Sequence, residues 1–591
     1  MNRCRREGVL LLLAVLLGMD GLAGARMTGV RQVRVAGNTV FSAHEILGWL
    51  ETKSSRPLSG ATLSRDLSLI VENYRREGYL EAAATANDVP VAGDSLLADV
   101  SIDLSEGRKS VVGSITVRGA RRLSEAELLD RFDLRRGDPL DPAVLEQDID
   151  MVLSRYENVG YPFAQCRVAA LARKQGDGCD SLEITLALDE GDPLAIDEIR
   201  VEGNHETRAS VIVRETRVGL GELYNPVKIN GIRGRLNRLN IFSSVSEPEL
   251  YTHDRKGGIL ITVKEGSTNT FDGIIGYVPA AASGQTGYLT GLASVAMRNL
   301  FGTGRKLSFH WQREDQFTQE LGVQYVEPWI FDLPVNVGGG FLQRQQDSTY
   351  VRRVVDGKTE IMLSDNLSVS ITMSSENVIP TVDTAVNIVS SVYSSSTTTV
   401  GGAIQFDTRD DLYSPTSGAR YATDYQYGRK RSNAVPPSSG GPSDAAIQRI
   451  GLDLEFYHAT TSRQVIAIGI HGREIQGDGL DESDMYRFGG TNSLRGYREN
   501  QFLGSRIAWT NAEYRFLMAR RSFFFGFVDA GYYFRPADDL RALPQVQAFK
   551  VGYGFGIRLD TSLGNLGVSF ALGQGDSIAN GKVHFGIINE F

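Results

Sequence analysis

The sequence predicts three α+β repeats of element order β-α-α-β-β, followed by an antiparallel transmembrane β-barrel of about 16 strands. Three observations support this prediction. Three segments share the pattern strand, glycine, helix at nearly equal spacing. Helical periodicity then disappears after about residue 270. From there to the end, apolar and polar side chains alternate at every second position, with charges on one face and aromatic rings on the other.

The first 25 residues are predicted to be a secretory signal peptide, 1–25. Arginines within residues 3–6 precede an apolar run at 9–17, and small residues at 23–25 offer a cleavage site. An uncleaved anchor is the less favoured alternative, because the run is shorter than the ~20 residues of a spanning helix. The mature chain is therefore predicted to start near Arg26 and to be exported.

Three segments align along the first half of the chain: VRVAGNTVFSAHEIL (33–47), ITVRGARRLSEAELL (115–129) and IRVEGNHETRASVIV (199–213). Their glycines, Gly37, Gly119 and Gly203, lie 82 and 84 residues apart. In each copy a short alternating strand leads into the glycine, which suits a turn with positive φ, and a helix follows.

Each repeat continues with a second helix and closes on an alternating strand that ends in Glu-Gly. In the first two copies the second helix repeats its apolar positions at i, i+3, i+4 and i+7. Such a unit makes a small sheet with two helices on one face and one free edge. The predicted boundaries of the three repeats are 26–108, 109–193 and 194–267.

Residues 268–591 are predicted to form the barrel. In KVGYGFGIRLD (550–560), every second residue from Val551 to Leu559 is apolar or aromatic. The residues between them are glycines, followed by Arg558 and Asp560. This alternation is typical of a polar lumen and a lipid-facing exterior. At about 20 residues per strand and connection, the segment provides about 16 strands. The polar stretches 375–400 and 431–446 are predicted to be longer loops.

The composition argues against one class of function. A formal charge of −9 and a pI near 5.5 argue against nucleic-acid binding.

In an exported chain Cys166 and Cys179 could form a disulfide. A hairpin that turns near Gly176 would instead place Cys166 opposite a residue near 186, so unpaired thiols are the favoured alternative.

No pattern of catalytic residues, cofactor or metal ligands emerges from the sequence. The glycines of GYGFGIR lie in a strand and open no helix, so they do not form a nucleotide loop. His44-Glu45 lacks the second histidine of a helical zinc site. For Asp407-Thr408-Arg409-Asp410, a hydrogen-bonded turn is favoured over a metal site. The chain is predicted not to be an enzyme.

The segment RFGGTNSLRGYREN (487–500) frames one arginine with glycines. Gly489 and Gly490 precede the run Leu494-Arg495-Gly496-Tyr497. One interpretation is an extracellular loop with a solvated arginine. The other is a loop packed in the lumen, where a buried guanidinium needs several hydrogen-bond acceptors. Alternation places Asp529 and Asp560 on the inner wall as candidate partners, with Arg558 adding a like charge nearby.

Repeats of this order ahead of an exported barrel resemble one superfamily, the outer-membrane assembly and secretion factors that join polypeptide-transport-associated (POTRA) domains to a β-barrel. The resemblance covers essentially the whole predicted mature chain. The barrel segments that carry it are YVEPWIF (325–331), FDTRDDLYSPTSGARY (406–421), RFGGTNSLRGY (487–497), FVDAG (527–531) and GYGFGIRLDTSLG (552–564). It implies an outer-membrane barrel with periplasmic POTRA domains, and a Leu-Arg-Gly-Tyr loop that folds back inside the barrel.

The resemblance favours an assembly factor. POTRA domains would capture unfolded outer-membrane or autotransporter-type clients by strand addition to a free sheet edge. The barrel would template their insertion into the outer-membrane bilayer at a seam between its first and last strands. The predicted seam residues are Gly273, Gly276, Phe585 and Phe591, and the glycines lower strand stability there.

Three repeats resemble the TamA type of the family, the subunit of the translocation and assembly module with an inner-membrane-anchored partner of TamB type. The general BamA type carries five repeats and is the weaker match. A second hypothesis is a two-partner secretion transporter, which usually carries two repeats and an N-terminal plug helix. The predicted signal peptide runs directly into VRQVRVAGN and leaves no room for that plug. A passive pore, the third hypothesis, needs no periplasmic repeats.

Overall fold

A computed structural model describes most of the chain. The described residues are 29–91, 94–254, 256–278, 288–347, 349–381, 392–412, 414–432, 443–519, 521–537, 543–561 and 564–588. The predicted signal peptide and Phe591 lie outside these ranges. The chain forms two compact units, Met1–Ala195 with Leu223–Pro226, and Ile196–Glu222 with Val227–Phe591.

The first unit contains two copies of one fold. The first copy comprises β1 (Gly29–Ala36), α1 (Ala43–Trp49), α2 (Gly60–Arg76), β2 (Ala83–Val91) and β3 (Asp94–Ser105). The second comprises β4 (Lys109–Arg118), α3 (Glu125–Leu129), α4 (Pro142–Asn158), β5 (Gln165–Gln175) and β6 (Cys179–Asp189). The sheet orders are β1-β3-β2 and β4-β6-β5, so the last strand of each copy is central, parallel to the first and antiparallel to the second. The predicted β-α-α-β-β order is confirmed.

The glutamate that closes each repeat holds the turn after the first strand. Glu106, Glu190 and Glu265 each accept hydrogen bonds from backbone N–H groups of that turn. The turn begins at a glycine with positive φ, and a Cβ on Gly37 would lie 2.1 Å from the carbonyl oxygen of Leu104. The Glu-Gly ending of the sequence pattern therefore ties the last strand of a repeat to its first.

Cys166 and Cys179 are both free thiols. Cys166 pairs in register with Leu188 and Cys179 with Lys109, so the two lie on different ladders of the same sheet. Burial raises the pKa of the Cys166 thiol.

The third repeat belongs to the second unit and is less regular. Its elements are β7 (Ala195–Glu202), α5 (Ala209–Thr216), β8 (Glu222–Leu223), α6 (Pro226–Arg238), β9 (Phe242–Val245), β10 (Glu249–His253) and β11 (Lys256–Glu265). The sheet order is β10-β11-β7-β8, and β9 also pairs with β11. The parallel β7–β11 pair corresponds to the first and last strands of the other two copies.

Sixteen antiparallel strands follow within the described ranges, as predicted. They are β12 (Asn269–Val278), β13 (Tyr288–Leu300), β14 (Arg305–Arg313), β15 (Gln319–Glu327), β16 (Val335–Gln346), β17 (Tyr350–Met362), β18 (Leu367–Pro380), β19 (Ser395–Asp407), β20 (Gly418–Ser432), β21 (Ser443–Thr461), β22 (Gln464–Gly477), β25 (Arg506–Ala519), β26 (Ser522–Arg535), β27 (Val546–Thr561), β28 (Gly564–Gly573) and β29 (Lys582–Ile588). Between β22 and β25, β23 (Tyr486–Phe488) and β24 (Phe502–Gly504) form a separate hairpin.

The exterior of the sheet is apolar and the interior polar. Val528 is 53% exposed while its neighbour Asp529 is fully buried, and Phe585 is 52% exposed beside buried His584. This is the alternation expected of a barrel with lipid outside and polar groups inside. In the part of the chain that is described, no helix has the length and apolar character needed to cross a membrane.

The loop prediction for residues 375–400 is wrong at both ends. Strand β18 continues to Pro380, and β19 begins at Ser395 with Thr397 and Thr399 buried on the inner wall. Threonine is β-branched and suits strands, so its abundance indicates an inner wall here and not a loop. Strands β20 and β21 likewise cover the ends of 431–446, and residues 382–391 and 433–442 lie outside the described ranges.

Candidate functional site

The loop between β23 and β24 packs against the inner face of strands β25 to β29. It reverses direction through three glycines with positive φ, Gly489 (117°), Gly490 (94°) and Gly496 (92°). The N–H of Gly490 donates to the carbonyl of Leu494 (3.0 Å), and the N–H of Gly489 to Ser493 Oγ (2.8 Å). These bonds make a tight turn that presents Arg495 to the wall.

Arg495 is 6% exposed and its guanidinium contacts two carboxylates. Its Nε and Nη2 donate to the two oxygens of Asp529 at 2.7 Å each, and its Nη1 donates to Glu513 Oε1 at 2.6 Å. Its backbone N–H also donates to Asp529 (3.0 Å). The fork geometry of a guanidinium matches such a bidentate carboxylate, and a pair this deeply buried needs all of these bonds.

Glu513 links this pair to a second arginine. Arg515 Nε donates to Glu513 Oε2 at 2.8 Å, and Arg515 is 7% exposed. Arg558, Arg495 and Arg515 line one cavity of about 250 Å³. Arg558 therefore lies on the predicted wall, whereas Asp560 is exposed and its backbone N–H donates to Ser522 Oγ. Glu513 occupies the place that sequence reasoning gave to Asp560.

Aromatic rings complete the arginine site. The Arg495 guanidinium lies 3.7 Å from the ring centroid of Phe527 and 5.7 Å from that of Phe525. Both rings are on the inner face, 4% and 7% exposed. A guanidinium over an aromatic face gains electrostatic attraction when it is desolvated. Sequence alternation assigned aromatic residues to the exterior, so this inward row (Phe523, Phe525, Phe527) was not predicted.

One glycine of the wall and one of the loop allow the loop to approach the wall closely. A Cβ on Gly552 would lie 1.8 Å from the carbonyl oxygen of Arg495, and one on Gly496 2.6 Å from that of Leu572. Alternation predicted that the strand glycines face the lumen. At Gly552 the facing group is the backbone of the loop, whereas Gly554 and Gly556 face the rings of Phe527 and Phe525.

The residues that flank Arg495 anchor the loop. Leu494 is fully buried in a cluster with Phe488, Phe502 and Ile507. The Tyr497 hydroxyl donates to the carbonyl of Val551 (3.0 Å). Directly after the arginine, the N–H of Gly496 donates to His584 Nε2 (3.1 Å), which joins the loop to the last strand. No sequence pattern singled out His584.

The entry to the loop is fixed by a second buried ion pair. Lys430, on β20, contacts the carboxylates of Asp481 and Asp484, and all three side chains are about 1% exposed. The Ser483 hydroxyl donates to Asp481. The loop is therefore held at its start as well as at its arginine.

Three of the predicted seam residues lie on the two outermost strands of the sheet. Gly273 and Gly276 belong to β12, where they pair with Ala293 and Thr290 of β13. Phe585 belongs to β29 and pairs with Val568 of β28. Over the described lengths of β12 and β29, no ladder joins these two strands to each other.

The acidic turn after β19 is a hydrogen-bonded structure. Arg409 donates to both oxygens of Asp407 and to Glu455, and Asp410 accepts from the N–H groups of Thr416 and Ser417. In the described parts of the chain, no group of three or more acidic, histidine or cysteine side chains is placed to hold a metal ion.

Two family domains match the chain. Residues 299–591 match the Omp85 superfamily domain, and residues 28–107, 110–191 and 194–266 match the POTRA family, described as surface antigen variable number repeat. The outer membrane protein assembly factor BamA of Nitratidesulfovibrio vulgaris is 24% identical over 77% of this chain and 58% of its own length. BamA of Neisseria meningitidis serogroup B is 21% identical over 52% of this chain and 39% of its own length. The chain thus spans about half the length of these curated relatives.

A solved structure shares the fold at low identity. CdiB from Escherichia coli aligns with a TM-score of 0.50 and 15% identity over 89% of this chain and 98% of CdiB. BamA from Haemophilus ducreyi lacking POTRA domains 1–3 aligns with a TM-score of 0.46 and 16% identity over 80% of this chain and 98% of that chain. The two family domains together match most of the chain, and the fold agrees with them. The chain therefore belongs to the Omp85 superfamily, with periplasmic POTRA domains ahead of an outer-membrane β-barrel.

Proposed function

We propose that this protein is a TamA-like assembly factor, which captures unfolded outer-membrane or autotransporter-type clients with its POTRA domains and templates their insertion at the barrel seam. The observation that carries the proposal is the seam itself. Strand β29 is 7 residues long and pairs with β28, while β12 pairs with β13. In the described region, each of these two strands pairs on one edge and forms no ladder on the other. The second edge therefore offers the backbone donors and acceptors that an incoming strand needs.

The repeats offer a second edge for client capture. Strand β5 is exposed along nearly its whole length and pairs with β6 on one side. An extended segment can add to such an edge through backbone hydrogen bonds, largely independently of its sequence. This suits a factor that handles several clients.

Three repeats support the TamA type over the BamA type, and a partner of TamB type anchored in the inner membrane belongs to the same proposal. The proposal also includes the domain boundaries. These are a signal peptide at 1–25, repeats at 26–108, 109–193 and 194–267, and the barrel at 268–591. The packed arginine loop argues against a passive pore, because it fills part of the lumen.

Depletion of the protein in its native host, followed by quantitative outer-membrane proteomics, tests the proposal. Loss of a small set of barrel proteins with most porins intact is the expected result. Broad loss of barrel proteins would indicate the general BamA type instead. Loss of one secreted partner would indicate a two-partner secretion transporter, and unchanged barrel proteins would rule out an assembly factor.

A further inference from the structure

Three consecutive turns of the barrel carry exposed apolar side chains next to the third repeat. The turns are 301–304, 328–334 and 363–366, at the end of the barrel where the chain enters β12 from β11. Their apolar side chains and exposed fractions are Phe331 at 90%, Phe301 at 76%, Leu363 at 60% and Leu333 at 55%. Apolar side chains clustered in this way mark an interaction surface.

These side chains continue the apolar rows of the barrel exterior. Leu333 extends the outward row of β16 that contains Val337, and Leu363 extends that of β17, which contains Ile361. Val337 and Ile361 are 39% and 42% exposed. The surface is therefore continuous with the face that contacts lipid.

An ion pair lies where the strands end and the turns begin. Arg305 Nε and Glu327 Oε2 are 2.8 Å apart, and both side chains are partly exposed. Ionic and aromatic groups at the end of an apolar band are typical of the interfacial layer of a membrane. This favours a phospholipid leaflet over a protein as the occupant of the surface.

The 328–334 turn also contacts the third repeat. Trp329 is 8% exposed, and its Nε1–H donates to Glu215 Oε1 of α5 at 2.6 Å. Trp329 and Phe331 both have left-handed backbone conformations, φ 57° and 56°. One aromatic side chain of this turn is thus buried against the repeat while the other, two residues later, is almost fully exposed.

The other two turns contact the repeat as well. The N–H of Arg208 donates to the carbonyl of Gly302 (2.9 Å). Arg235 Nη1 donates to Asp365 Oδ2 (2.7 Å), and Arg217 Nη1 to Asp365 Oδ1 (3.2 Å). The apolar surface and the joint to the third repeat are therefore made by the same three turns.

We propose that these turns insert into the periplasmic leaflet of the outer membrane, and that the Trp329–Glu215 contact fixes the third repeat to this leaflet anchor. The anchor sets the position of the repeat relative to the membrane surface. It would do so in an assembly factor and in a secretion transporter alike, so the inference is independent of the client.

Fluorescence at position 331 tests the leaflet contact. Full-length protein with Cys166 and Cys179 replaced by serine carries Phe331→Cys labelled with the polarity-sensitive dye NBD, in phosphatidylcholine liposomes. We expect blue-shifted emission that brominated phosphatidylcholine quenches. The matched control is Glu249→Cys on exposed β10, where emission is expected to stay water-like. Water-like, unquenched emission at 331 would overturn the proposal, as would a blue shift that appears only after a protein partner is added.

A disulfide assay tests the joint. Thr207→Cys and Asn299→Cys replace side chains that lie 2.9 Å apart across the joint, so they report how steadily the repeat is held. Trp329→Phe is expected to slow their oxidation about tenfold by removing the hydrogen bond to Glu215. Glu215→Gln keeps an acceptor for Trp329 and serves as the control. Heat-modifiability on gels confirms that each variant is folded. An unchanged oxidation rate in Trp329→Phe would show that this contact does not hold the repeat.

Discussion

At the scale of single residues, the arginine loop combines three kinds of contact that depend on each other. Arg495 is paired with two carboxylates, covered by Phe527 and approached by the backbone of Gly552. A buried ion pair contributes little net stability when intact, but removal of one partner leaves the other charged and desolvated. The site therefore fixes one loop conformation and tolerates few substitutions.

Arg495→Ala is expected to destabilise the barrel by about 3–5 kcal/mol, because Asp529 would stay buried without its cation, whereas Glu513 keeps Arg515. The repeats should remain folded and activity should fall. Asp529→Asn should act in the same direction, with Glu513 still available to the guanidinium. The measurement is the temperature at which the barrel loses its heat-resistant gel mobility.

Arg506→Ala is the matched control, since Arg506 forms an ion pair with Glu474 but is half exposed. Exposed pairs contribute little, so its barrel should melt like the wild type. Normal complementation by Arg495→Ala in the host would contradict the lumen-packed loop as a functional element.

Gly552→Ala is expected to displace the loop, because the added Cβ would lie 1.8 Å from the Arg495 carbonyl oxygen. Gly526→Ala is the control in the neighbouring strand, where an added Cβ meets no atom within 4 Å. Limited proteolysis within 489–501 should be faster in Gly552→Ala alone. Equal cleavage of the two variants would mean that the wall does not hold the loop at this point.

At the scale of elements, sequence periodicity predicted what repeats and missed what is irregular. The first two repeats were predicted in order because strands, capped helices and turn glycines recur at fixed spacing. In the third repeat the second strand is divided into β9 and β10, which both pair antiparallel with β11, and sequence periodicity predicted neither this division nor the two-residue strand β8. The third repeat therefore departs from the repeating sequence pattern but retains the parallel β7–β11 pair.

Alternation in a strand predicts the face of a residue but not its height along the barrel. Asp529 and Asp560 both lie in strands with polar inward faces, yet Asp560 is eight residues beyond Gly552, the register partner of Asp529. At about 3.4 Å per residue this separation is about 27 Å. Glu513 is inward and at the right height, which becomes visible only when β25 and β26 are paired.

We predict that the turn held by Glu265, the closing glutamate of the third repeat, is sensitive to acid. Burial alone would raise the pKa of Glu265, but hydrogen bonds from Thr207 and from the N–H groups of 205–207 outweigh it and lower the pKa to about 2. A carboxyl whose pKa is lowered on folding stabilises the fold above its ordinary value of 4.5. This contribution is lost as the pH falls from 4.5 towards 2.

Hydrogen–deuterium exchange of the 203–208 turn checks this, after correction for the intrinsic pH dependence of exchange. Wild-type protection should fall between pH 4.5 and 2, whereas Glu265→Gln should be weakly protected throughout. A wild-type turn whose protection does not change over this range would show that Glu265 does not hold it.

At the scale of the whole molecule, the seam prediction concerns where a client first meets the barrel. A photo-crosslinking amino acid at Phe271 of β12 or at Phe585 of β29 should capture unfolded client, because both side chains are exposed on the outer strands of the sheet. Phe555 of β27 is the control, since it is 66% exposed but lies on a strand paired on both sides. Client crosslinks at Phe555 as strong as those at the other two positions would argue against a specific seam.

The arginine loop also has a consequence for the order in which the chain can fold. Apart from Lys430 at its entry, its anchors are Asn511, Glu513, Asp529, Val551 and His584, all on strands that are synthesised after the loop. Strands β12 to β22 can pair with their sequence neighbours as soon as they are made. The loop must wait for the C-terminal strands before Arg495 can be neutralised, so the last third of the barrel is expected to assemble as one late cooperative step.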